Sequence, residues 1–284
     1  MEQFLLHNGE FYPTGIPVIQ ADNRSFKFGD GVFESIRVYG ENIMFLAEHL
    51  DRLKRACQVL QLDIPLAIGT VENLTEQIFK LLHRNRWFIG TKIRVTVYRK
   101  AGGLFAPEHS AAEWLIEAQN LEHGFYSMNS KGLIVGIYSD VRKVYNKLSF
   151  FKSSSSLLYV TAGLFQMQNR LDDVLLLNNH NFIVEGLSSN IFLVKGNFLL
   201  TPSLDQGCVE GIMRAQVIRI AEQNGFKVFD NCAIEPTDLV KSEEVFLTNS
   251  AGIRWVSGFE QKRFFNKTAT FFLNELNKEV VKKP

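Results

Sequence analysis

The amino-acid sequence predicts a mixed α/β protein of the α+β type, built as two unequal domains. Strand-like segments alternate with amphipathic helical segments through both halves of the 284 residues. A polar, turn-rich stretch at residues 121–131 separates the halves and is the predicted linker. We therefore expect an N-terminal domain over residues 1–120 and a C-terminal domain over residues 132–284, and we expect the C-terminal domain to carry the candidate lysine, Lys152.

The first half has the pattern of an antiparallel sheet followed by helices. Residues 4–11 contain a strand, an Asn-Gly turn and the start of a second strand, which is typical of a hairpin. Residues 31–40 alternate like a strand, and apolar residues recur at three- and four-residue steps near residues 47–61, as in an amphipathic helix. The other predicted elements of this half are a helix over residues 71–85 and strands over residues 91–98 and 114–118.

The second half alternates strands and helices. A strand begins at Leu133, and residues 190–200 form a hairpin around a Lys-Gly-Asn turn. A helix over residues 212–224 ends at Gly225, an ordinary stop signal. The other predicted elements are a helix over residues 157–169, strands over residues 174–177 and 244–247, and a closing helix over residues 268–282.

Composition excludes several classes of function. The 31 basic and 30 acidic residues give a net charge of +1 without a basic block, which argues against a nucleic-acid partner. The three cysteines are odd in number and far apart in sequence, so we predict neither a disulfide framework nor a metal site. No window approaches the ~18 apolar residues of a membrane span, so we predict no membrane partner and a cytoplasmic location.

Lys152 is the first candidate for chemistry. It lies in SFFKSSSS, between two aromatic rings and four serines, just before the predicted helix at residues 157–169. Desolvation by rings disfavours the charged form of a lysine, so its pKa falls toward a nucleophilic range. The alternative is a partly exposed lysine whose stem lies along apolar surface.

Three further segments carry candidate groups. Glu185 opens a turn in EGLSSN, which indicates either ordinary turn chemistry or a carboxylate near a buried cation. Gly211 in VEGIMR precedes a helix whose first N–H groups are suited to an anion. Arg52 in HLDRL lies beside an apolar helix face, where it forms a surface ion pair or clamps a phosphate. An amine, a carboxylate and an anion site with an arginine are together what pyridoxal phosphate requires.

The ordered motifs resemble those of the class IV, or D-amino-acid aminotransferase-like, pyridoxal phosphate enzymes. This resemblance implies a fold of two α/β domains with pyridoxal phosphate between them, usually in a homodimer that acts on a small amino substrate. The motifs that carry it are FGDGVFE at residues 28–34, HLDRL at 49–53, the Lys152 segment, LDDVLLLN at 171–178, EGLSSNIFLV at 185–194, GIMR at 211–214 and TNS at 248–250.

The resemblance assigns roles around the cofactor ring. Lys152 resembles the lysine that forms the Schiff base, whereas Lys147, five residues earlier, fits the family spacing less well. Glu185 is expected to face the pyridine nitrogen, and Val209 is expected to pack against the ring.

The resemblance also implies a phosphate site. Arg52 is expected to bind the phosphate, helped by the backbone N–H groups of Ile212 and Met213 and by Ser250. The complete predicted cofactor-binding set is Arg52, Lys152, Glu185, Ser189, Asn190, Val209, Gly211, Ile212, Met213 and Ser250, with Lys152 as the catalytic residue.

Three activities share this scaffold. Residues 201–214 and Asn249 resemble 4-amino-4-deoxychorismate lyase, which releases pyruvate and forms 4-aminobenzoate for folate synthesis, and we predict this activity. VFESIR at residues 32–37 is closer to the branched-chain aminotransferases, which are the alternative. The D-amino-acid enzymes are the least favoured, because they have a tyrosine at the position of Phe33 and an arginine-histidine carboxylate trap where this chain has GGLF at residues 102–105.

The chain departs from the family pattern near the cofactor. Relatives often carry asparagine and then tyrosine or another large residue at the positions of Ser155 and Ser156, and the loop after Asn249 is one residue shorter. Both changes touch the expected surroundings of the cofactor and therefore leave substrate specificity open.

Overall fold

A computed structural model of the chain describes residues 2–121 and 124–281. The chain divides into two compact units: unit 1 comprises Met1–Phe125 and Phe151–Ser156, and unit 2 comprises Tyr126–Phe150 and Leu157–Lys282. Residues 122–123 of the predicted linker and the extreme ends of the two predicted domains lie outside the described residues. The mixture of helices and strands confirms the predicted fold class, whereas the boundary at residues 121–131 stays a prediction.

Unit 1 is an antiparallel sheet with two long helices. Within the described residues its strand order is β2-β1-β6-β5-β3-β4, and each neighbouring pair is antiparallel. The elements in chain order are β1 (Phe4–His7), β2 (Glu10–Pro13), α1 (Arg24–Phe28), β3 (Gly31–Tyr39), β4 (Asn42–Ile43), α2 (Leu46–Val59), α3 (Val71–Asn85), β5 (Gly90–Arg99) and β6 (Ala112–Asn120).

Local sequence explains the ends of these elements. Asn8 and Gly9 have φ values of 51° and 92°, as the predicted two-residue turn between β1 and β2 requires. Thr70 caps α3 by accepting a hydrogen bond from the Asn73 N–H group at 3.1 Å. The apolar faces of α2 and α3 pack with β3, β5 and β6 in one buried core, which includes Phe151.

Unit 2 is a mixed sheet with helices. Within the described residues the strand order is β12-β11-β10-β13-β14-β7-β8-β9, with β15 paired to β14. The elements in chain order are β7 (Leu133–Tyr138), α4 (Leu157–Gln168), β8 (Asp173–Leu177), β9 (Ile183–Gly186), β10 (Asn190–Lys195), β11 (Phe198–Pro202), α5 (Ile212–Gln223), β12 (Lys227–Cys232), α6 (Pro236–Val240), β13 (Glu244–Asn249), β14 (Gly252–Phe259), β15 (Lys262–Arg263) and α7 (Lys267–Val281).

The sequence predicted most of the long elements but missed β14, an eight-residue and largely buried strand, together with several short or polar elements. The hairpin of β10 and β11 turns at Gly196–Asn197, and α5 ends one residue before the predicted Asn224. The five-residue helix α1 was not predicted, although Asn23 caps it and Gly29 ends it with φ 69°. Strand β12 reads KVFDNC and is largely exposed, so it lacks the apolar signal on which strand prediction depends. None of the described helices combines the length and the apolar character needed to cross a membrane.

Candidate functional site

The Lys152 segment is held along the first residues of β3 in unit 1. The Phe33 N–H group donates to the Lys152 carbonyl at 2.9 Å, and the Ser154 N–H group donates to the Gly31 carbonyl at 2.9 Å. An isolated antiparallel bridge joins Val32 to Ser153, which lies between Lys152 and Ser154. The lysine therefore projects from backbone that is fixed by strand-type hydrogen bonds, not from a free loop.

Two glycines of FGDGVF make this close approach feasible. A Cβ atom on Gly31 would lie 3.0 Å from the Ser154 Oγ atom. Gly29 has φ 69°, which favours glycine, and a Cβ atom there would lie 2.9 Å from the Ser155 Cβ atom. The glycines before β3 and the small serines after Lys152 are therefore complementary, which gives the serine run a structural role.

Beneath the Lys152 segment, a buried cluster joins β3 to α2. Alternation along β3 places Glu34 on the helix-covered face with Val32 and Ile36, and α2 brings His49 and Arg52 to it. The Arg52 Nε and Nη2 atoms donate to the two carboxylate oxygens of Glu34 at 2.8 and 2.6 Å. The His49 Nδ1 atom lies 2.7 Å from the Glu34 Oε2 atom.

Electrostatics keep the Glu34 carboxyl ionised. Burial raises the pKa of Glu34, but the Arg52 charge and the hydrogen bonds from His49 and Arg52 outweigh burial and lower the pKa from 4.5 to about 2. Burial also lowers the pKa of His49. Arg52, which the sequence assigned to a phosphate, thus holds Glu34 through two donors in this structure, and its phosphate role stays a prediction.

The Lys152 amine lies in a desolvated, cationic environment. Burial is the main cause that lowers its pKa from 10.5 to about 8; the Glu34 charge opposes this effect, and the Arg52, Lys92 and Arg94 charges add to it. The ring beside the amine is Phe33, whose centroid lies 5.7 Å from the Nζ atom. At pH 7 about a tenth of such amines are neutral and able to act as a nucleophile or base.

Arg94 and Lys92 are part of the cationic environment of the Lys152 amine, although no sequence motif predicted them. The Arg94 Cζ atom lies 3.6 Å from the Phe33 ring centroid, and its Nε atom lies 3.9 Å from the Glu117 Oε2 atom. Lys92 precedes Arg94 by two residues on β5, so both project from the same face of the sheet. The alternation in TKIRVTVY predicted the strand and could have revealed this cationic face.

Unit 2 contains a second buried polar cluster, centred on Glu185 of β9. The Lys143 Nζ atom donates to the Glu185 Oε1 atom, and the Tyr159 hydroxyl of α4 donates to the same oxygen at 2.8 Å. The Val209 N–H group donates to the Glu185 Oε2 atom at 2.7 Å. The sequence motifs predicted Glu185 and Val209, whereas no local pattern marks Lys143 or Tyr159.

The donor set leaves Glu185 suited to one more hydrogen-bond donor. A carboxylate has about four lone-pair positions. Lys143 and Tyr159 occupy two positions on Oε1, and Val209 occupies one on Oε2. One position on Oε2 remains among the hydrogen bonds of the described residues, and a protonated ring nitrogen of pyridoxal phosphate fits it.

The start of α5 is fixed by Asn190. The Asn190 Nδ2 atom donates to the Val209 carbonyl at 2.8 Å, and a Cβ atom on Gly211 would lie only 1.8 Å from the Asn190 Oδ1 atom. A glycine at position 211 therefore lets the chain pass close to β10 and enter the helix at Ile212. Met213 follows in the first turn, so the two predicted N–H donors are both at the helix start.

Two hydroxyl groups with unused hydrogen-bonding capacity lie near the ends of β10 and β13, and Asn190, the first residue of β10, contacts the start of α5. Asn190 pairs with Thr248 across β10 and β13, so the two side chains share a face of the sheet. The Thr248 and Ser189 hydroxyls are buried and have no hydrogen-bond partner within the described residues. Ser250 begins the two-residue turn between β13 and β14. The unpaired Thr248 hydroxyl, on the face of the sheet where Asn190 meets the start of α5, fits an anionic ligand such as a phosphate.

Comparison with known proteins identifies the family. The family model for amino-transferase class IV matches residues 31–259. The chain belongs to the class IV aminotransferases. This confirms the predicted family, and pyridoxal phosphate is the cofactor of these enzymes.

Class IV relatives with different activities resemble this chain. A Methanocaldococcus jannaschii protein provisionally named branched-chain-amino-acid aminotransferase is 30% identical over 247 residues, covering 86% of this chain and 83% of that protein. Aminodeoxychorismate lyase of Bacillus subtilis is 25% identical over 246 residues, covering 86% of this chain and 82% of that enzyme. The relatives therefore fix the class IV family without fixing the reaction.

Solved class IV structures confirm the predicted fold. The branched-chain aminotransferase of Thermoproteus uzoniensis, solved with norvaline, superposes with a TM-score of 0.87 at 24% identity and covers 98% of this chain and 94% of its own. A Legionella pneumophila protein provisionally named 4-amino-4-deoxychorismate lyase gives a TM-score of 0.84 at 23% identity, with 94% and 97% coverage. The same fold thus accompanies both names.

Proposed function

We propose that this class IV enzyme is a 4-amino-4-deoxychorismate lyase. The observation that carries the proposal is the pair of cations on β5, Lys92 and Arg94: the Arg94 Cζ atom lies 3.6 Å and the Lys152 Nζ atom 5.7 Å from the centroid of the same Phe33 ring. The lyase substrate carries two carboxylates, one on its ring and one on its enolpyruvyl group, so two neighbouring cations suit it. A branched-chain amino acid carries one carboxylate and an apolar side chain, so in branched-chain transamination the second cation would serve only the dicarboxylate co-substrate, 2-oxoglutarate.

The proposed cofactor site uses the residues predicted from the sequence. Lys152 provides the amine that links to the cofactor aldehyde, and Glu185 offers its remaining Oε2 position to the ring nitrogen. The N–H groups of Ile212 and Met213, together with nearby hydroxyls, bind the phosphate. The unused hydrogen-bonding capacity of the described residues supports these assignments, because a buried acceptor and two buried hydroxyls each lack one partner.

The chain's own residues then supply proton transfer and orientation. When bound, pyridoxal phosphate supplies an electron-withdrawing ring that stabilises negative charge on the carbon next to the substrate nitrogen. The Lys152 Nζ atom, with its pKa lowered by burial to about 8, accepts the proton from that carbon. Arg94 and Lys92 orient the substrate through its carboxylates. Breaking the C–O bond to the enolpyruvyl group would then restore the aromatic ring as 4-aminobenzoate, and the departing group would take the proton from the Lys152 ammonium to become pyruvate.

Branched-chain transamination is the second candidate function. The 30% identity to the M. jannaschii protein favours it, since that protein carries the branched-chain name. In this reaction the Lys152 Nζ atom would again hold and release the transferred proton, so the lysine and carboxylate would serve both reactions. The substrate-binding wall alone distinguishes the two.

A paired assay tests the proposal. Purified protein with pyridoxal phosphate is incubated with aminodeoxychorismate, and pyruvate and 4-aminobenzoate are measured; in parallel, leucine and 2-oxoglutarate are supplied and glutamate is measured. We expect equal amounts of the two lyase products, their loss in Lys152→Ala, and retention in Lys147→Ala. Glutamate formation without 4-aminobenzoate would establish the aminotransferase instead.

We also propose a homodimer, supported by one face of α4. Four apolar side chains of α4 recur at steps of three, four and three residues and are each more than half exposed: Leu157 (76%), Val160 (54%), Leu164 (52%) and Met167 (75%). Helix α4 contains no charged residue. Such a stripe on a helix is normally covered by a partner. Light scattering should give twice the chain mass for the wild type and for the exposed control Leu66→Asp, and a smaller mass for Leu164→Asp. A monomeric wild type would overturn the proposal.

A cytoplasmic location remains part of the proposal. Cys57, Cys208 and Cys232 are all free thiols. Free thiols are typical of a reducing compartment. Fractionation of the source cells with an antibody to the chain tests this location.

A further inference from the structure

The ion pair of Lys143 with Glu185 is unusually buried. Lys143 is 7% and Glu185 is 3% exposed. The Lys143 N–H group donates to the Leu177 carbonyl at the end of β8 at 2.9 Å, which fixes the lysine backbone beside β9. Its Nζ atom also lies 5.5 Å from the Tyr159 ring centroid. Because solvent does not compete for its charge, the buried Lys143 ammonium stays paired with the Glu185 carboxylate.

We propose that Lys143 is a positioning residue that supplies the counter-charge for Glu185 while the cofactor is absent and shares that carboxylate with the cofactor's ring nitrogen when it is present. This inference rests on the proposed binding of pyridoxal phosphate by Glu185. Lys143 acts through Glu185 and needs no contact with the substrate.

Counting charges around Glu185 supports this role. The Tyr159 pKa is raised, first by burial and then by Glu185, so its hydroxyl stays protonated and serves as a neutral donor. Burial, with the Glu185 charge, raises the pKa of Cys208 to about 12, so its thiol is neutral as well. The Arg214 guanidinium donates to the Pro202 and Asp230 carbonyls. Lys143 is therefore the cation in direct contact with Glu185 among the described residues.

This arrangement has two consequences for the cofactor. Without Lys143, the cofactor-free protein would bury a carboxylate with no opposite charge, which is strongly destabilising. With Lys143, the carboxylate is already neutralised before the ring nitrogen arrives. The ring nitrogen then competes with a cation for Glu185, and it holds its proton less tightly than it would against an unshared carboxylate.

The test compares Lys143→Met with the wild type, each with and without cofactor. We expect Lys143→Met to lower the melting temperature of the cofactor-free protein. Bound cofactor should restore at least half of that loss, because the protonated ring nitrogen replaces the missing cation. Lys143→Arg should restore the wild-type behaviour. Lys147→Met, in the same loop and exposed, should change neither state.

A spectroscopic measurement separates positioning from a merely structural role. Cofactor labelled with ¹⁵N in its ring should show a resonance that titrates about one pH unit higher in Lys143→Met than in the wild type, since a nearby like charge moves a pKa by about this much. If Lys143→Met does not fold without cofactor, Lys143→Met with Glu185→Gln removes the unpaired carboxylate and should fold.

Three outcomes are decisive. Equal losses of melting temperature with and without cofactor would overturn the inference, as would a ring-nitrogen titration that is unchanged or lower in Lys143→Met. A wild type that shows neither cofactor absorbance nor a rise in melting temperature with pyridoxal phosphate would instead overturn the proposed function.

Discussion

Removal of the Glu34 charge should destabilise unit 1 through the groups that this residue holds. Glu34→Gln keeps the size of the side chain but leaves the Arg52 guanidinium, which is 2% exposed, without its carboxylate partner. His49 also loses the anion that lies 2.7 Å from its Nδ1 atom. The substitution therefore removes the anion that neutralises a buried guanidinium.

Two independent arguments give the magnitude. Breaking a buried ion pair by removing one partner typically costs about 3–5 kcal/mol. The pKa of Glu34 falls from 4.5 to about 2 on folding, a difference of about 2.5, which at about 1.4 kcal/mol for each pKa unit corresponds to about 3 kcal/mol. Both arguments predict a loss of about 3 kcal/mol in the free energy of unfolding at pH 7.

The sign of the pH dependence follows from the lowered pKa. Since the folded-state pKa lies below the unfolded one, the contribution of Glu34 is complete above pH 4.5 and is lost as the pH falls toward 2. Urea unfolding followed by tryptophan fluorescence, to which Trp114 in the same buried core contributes, measures the difference between wild type and variant at each pH. We expect that difference to shrink steadily below pH 4.5.

Glu117→Gln is the matched control. Glu117 is about half exposed and lies 3.9 Å from Arg94, so its loss should cost less than about 1 kcal/mol. If Glu34→Gln also costs less than about 1 kcal/mol at pH 7, or if its cost does not depend on pH, the assignment of Glu34 as the ionised anchor of Arg52 is wrong.

Three further substitutions test the packing around Gly29 and Gly211 and the desolvation of the Lys152 amine. Gly29→Ala should lower the free energy of unfolding, measured with urea, by about 2–4 kcal/mol, because a positive φ is combined with overlap between the new Cβ atom and Ser155. Its control, Gly40→Ala, has φ 54° and open space around the new Cβ atom, so it should cost only about 1–2 kcal/mol. Gly211→Ala should raise the pyridoxal phosphate dissociation constant roughly tenfold by fluorescence titration, because its Cβ atom would displace Asn190 from the helix start; unchanged affinity would contradict this packing. Lys152→Met should stabilise the cofactor-free protein at pH 7 by up to about 3 kcal/mol, since burial disfavours the charged amine, and this gain should vanish as the pH rises from about 8 to 10.5.

Much of the fold could be predicted because its long elements carry strong periodic patterns. Helix α3 covers residues 71–85, as its apolar spacing predicts, and Thr70 caps its start. The Asn-Gly turn between β1 and β2 requires positive φ values that these residues adopt readily. By contrast, the pairing of β7 with β8 and β14 joins segments far apart in sequence, and no local pattern specifies it.

The candidate site could be predicted only in part. Lys152, Glu185 and Arg52 stand out because an amine, a carboxylate and a guanidinium lie in motifs with family spacing. Lys143 and Tyr159 do not, since their contact with Glu185 joins three separate segments. The sequence also indicated a lysine desolvated by adjacent rings, but among the described residues the amine lies 5.7 Å from the ring centroid of Phe33 of β3, whereas residue 151 turns into the core.

The sequence by itself determined the family, the long helices and strands, and the residue types able to hold pyridoxal phosphate, because these depend on local pattern and ordered motifs. Only the tertiary structure decided which charges neutralise one another: Arg52 with Glu34 in unit 1, and Lys143 with Glu185 in unit 2. The physical reason is that electrostatic energy depends on distance and burial, and both are set by how remote segments pack.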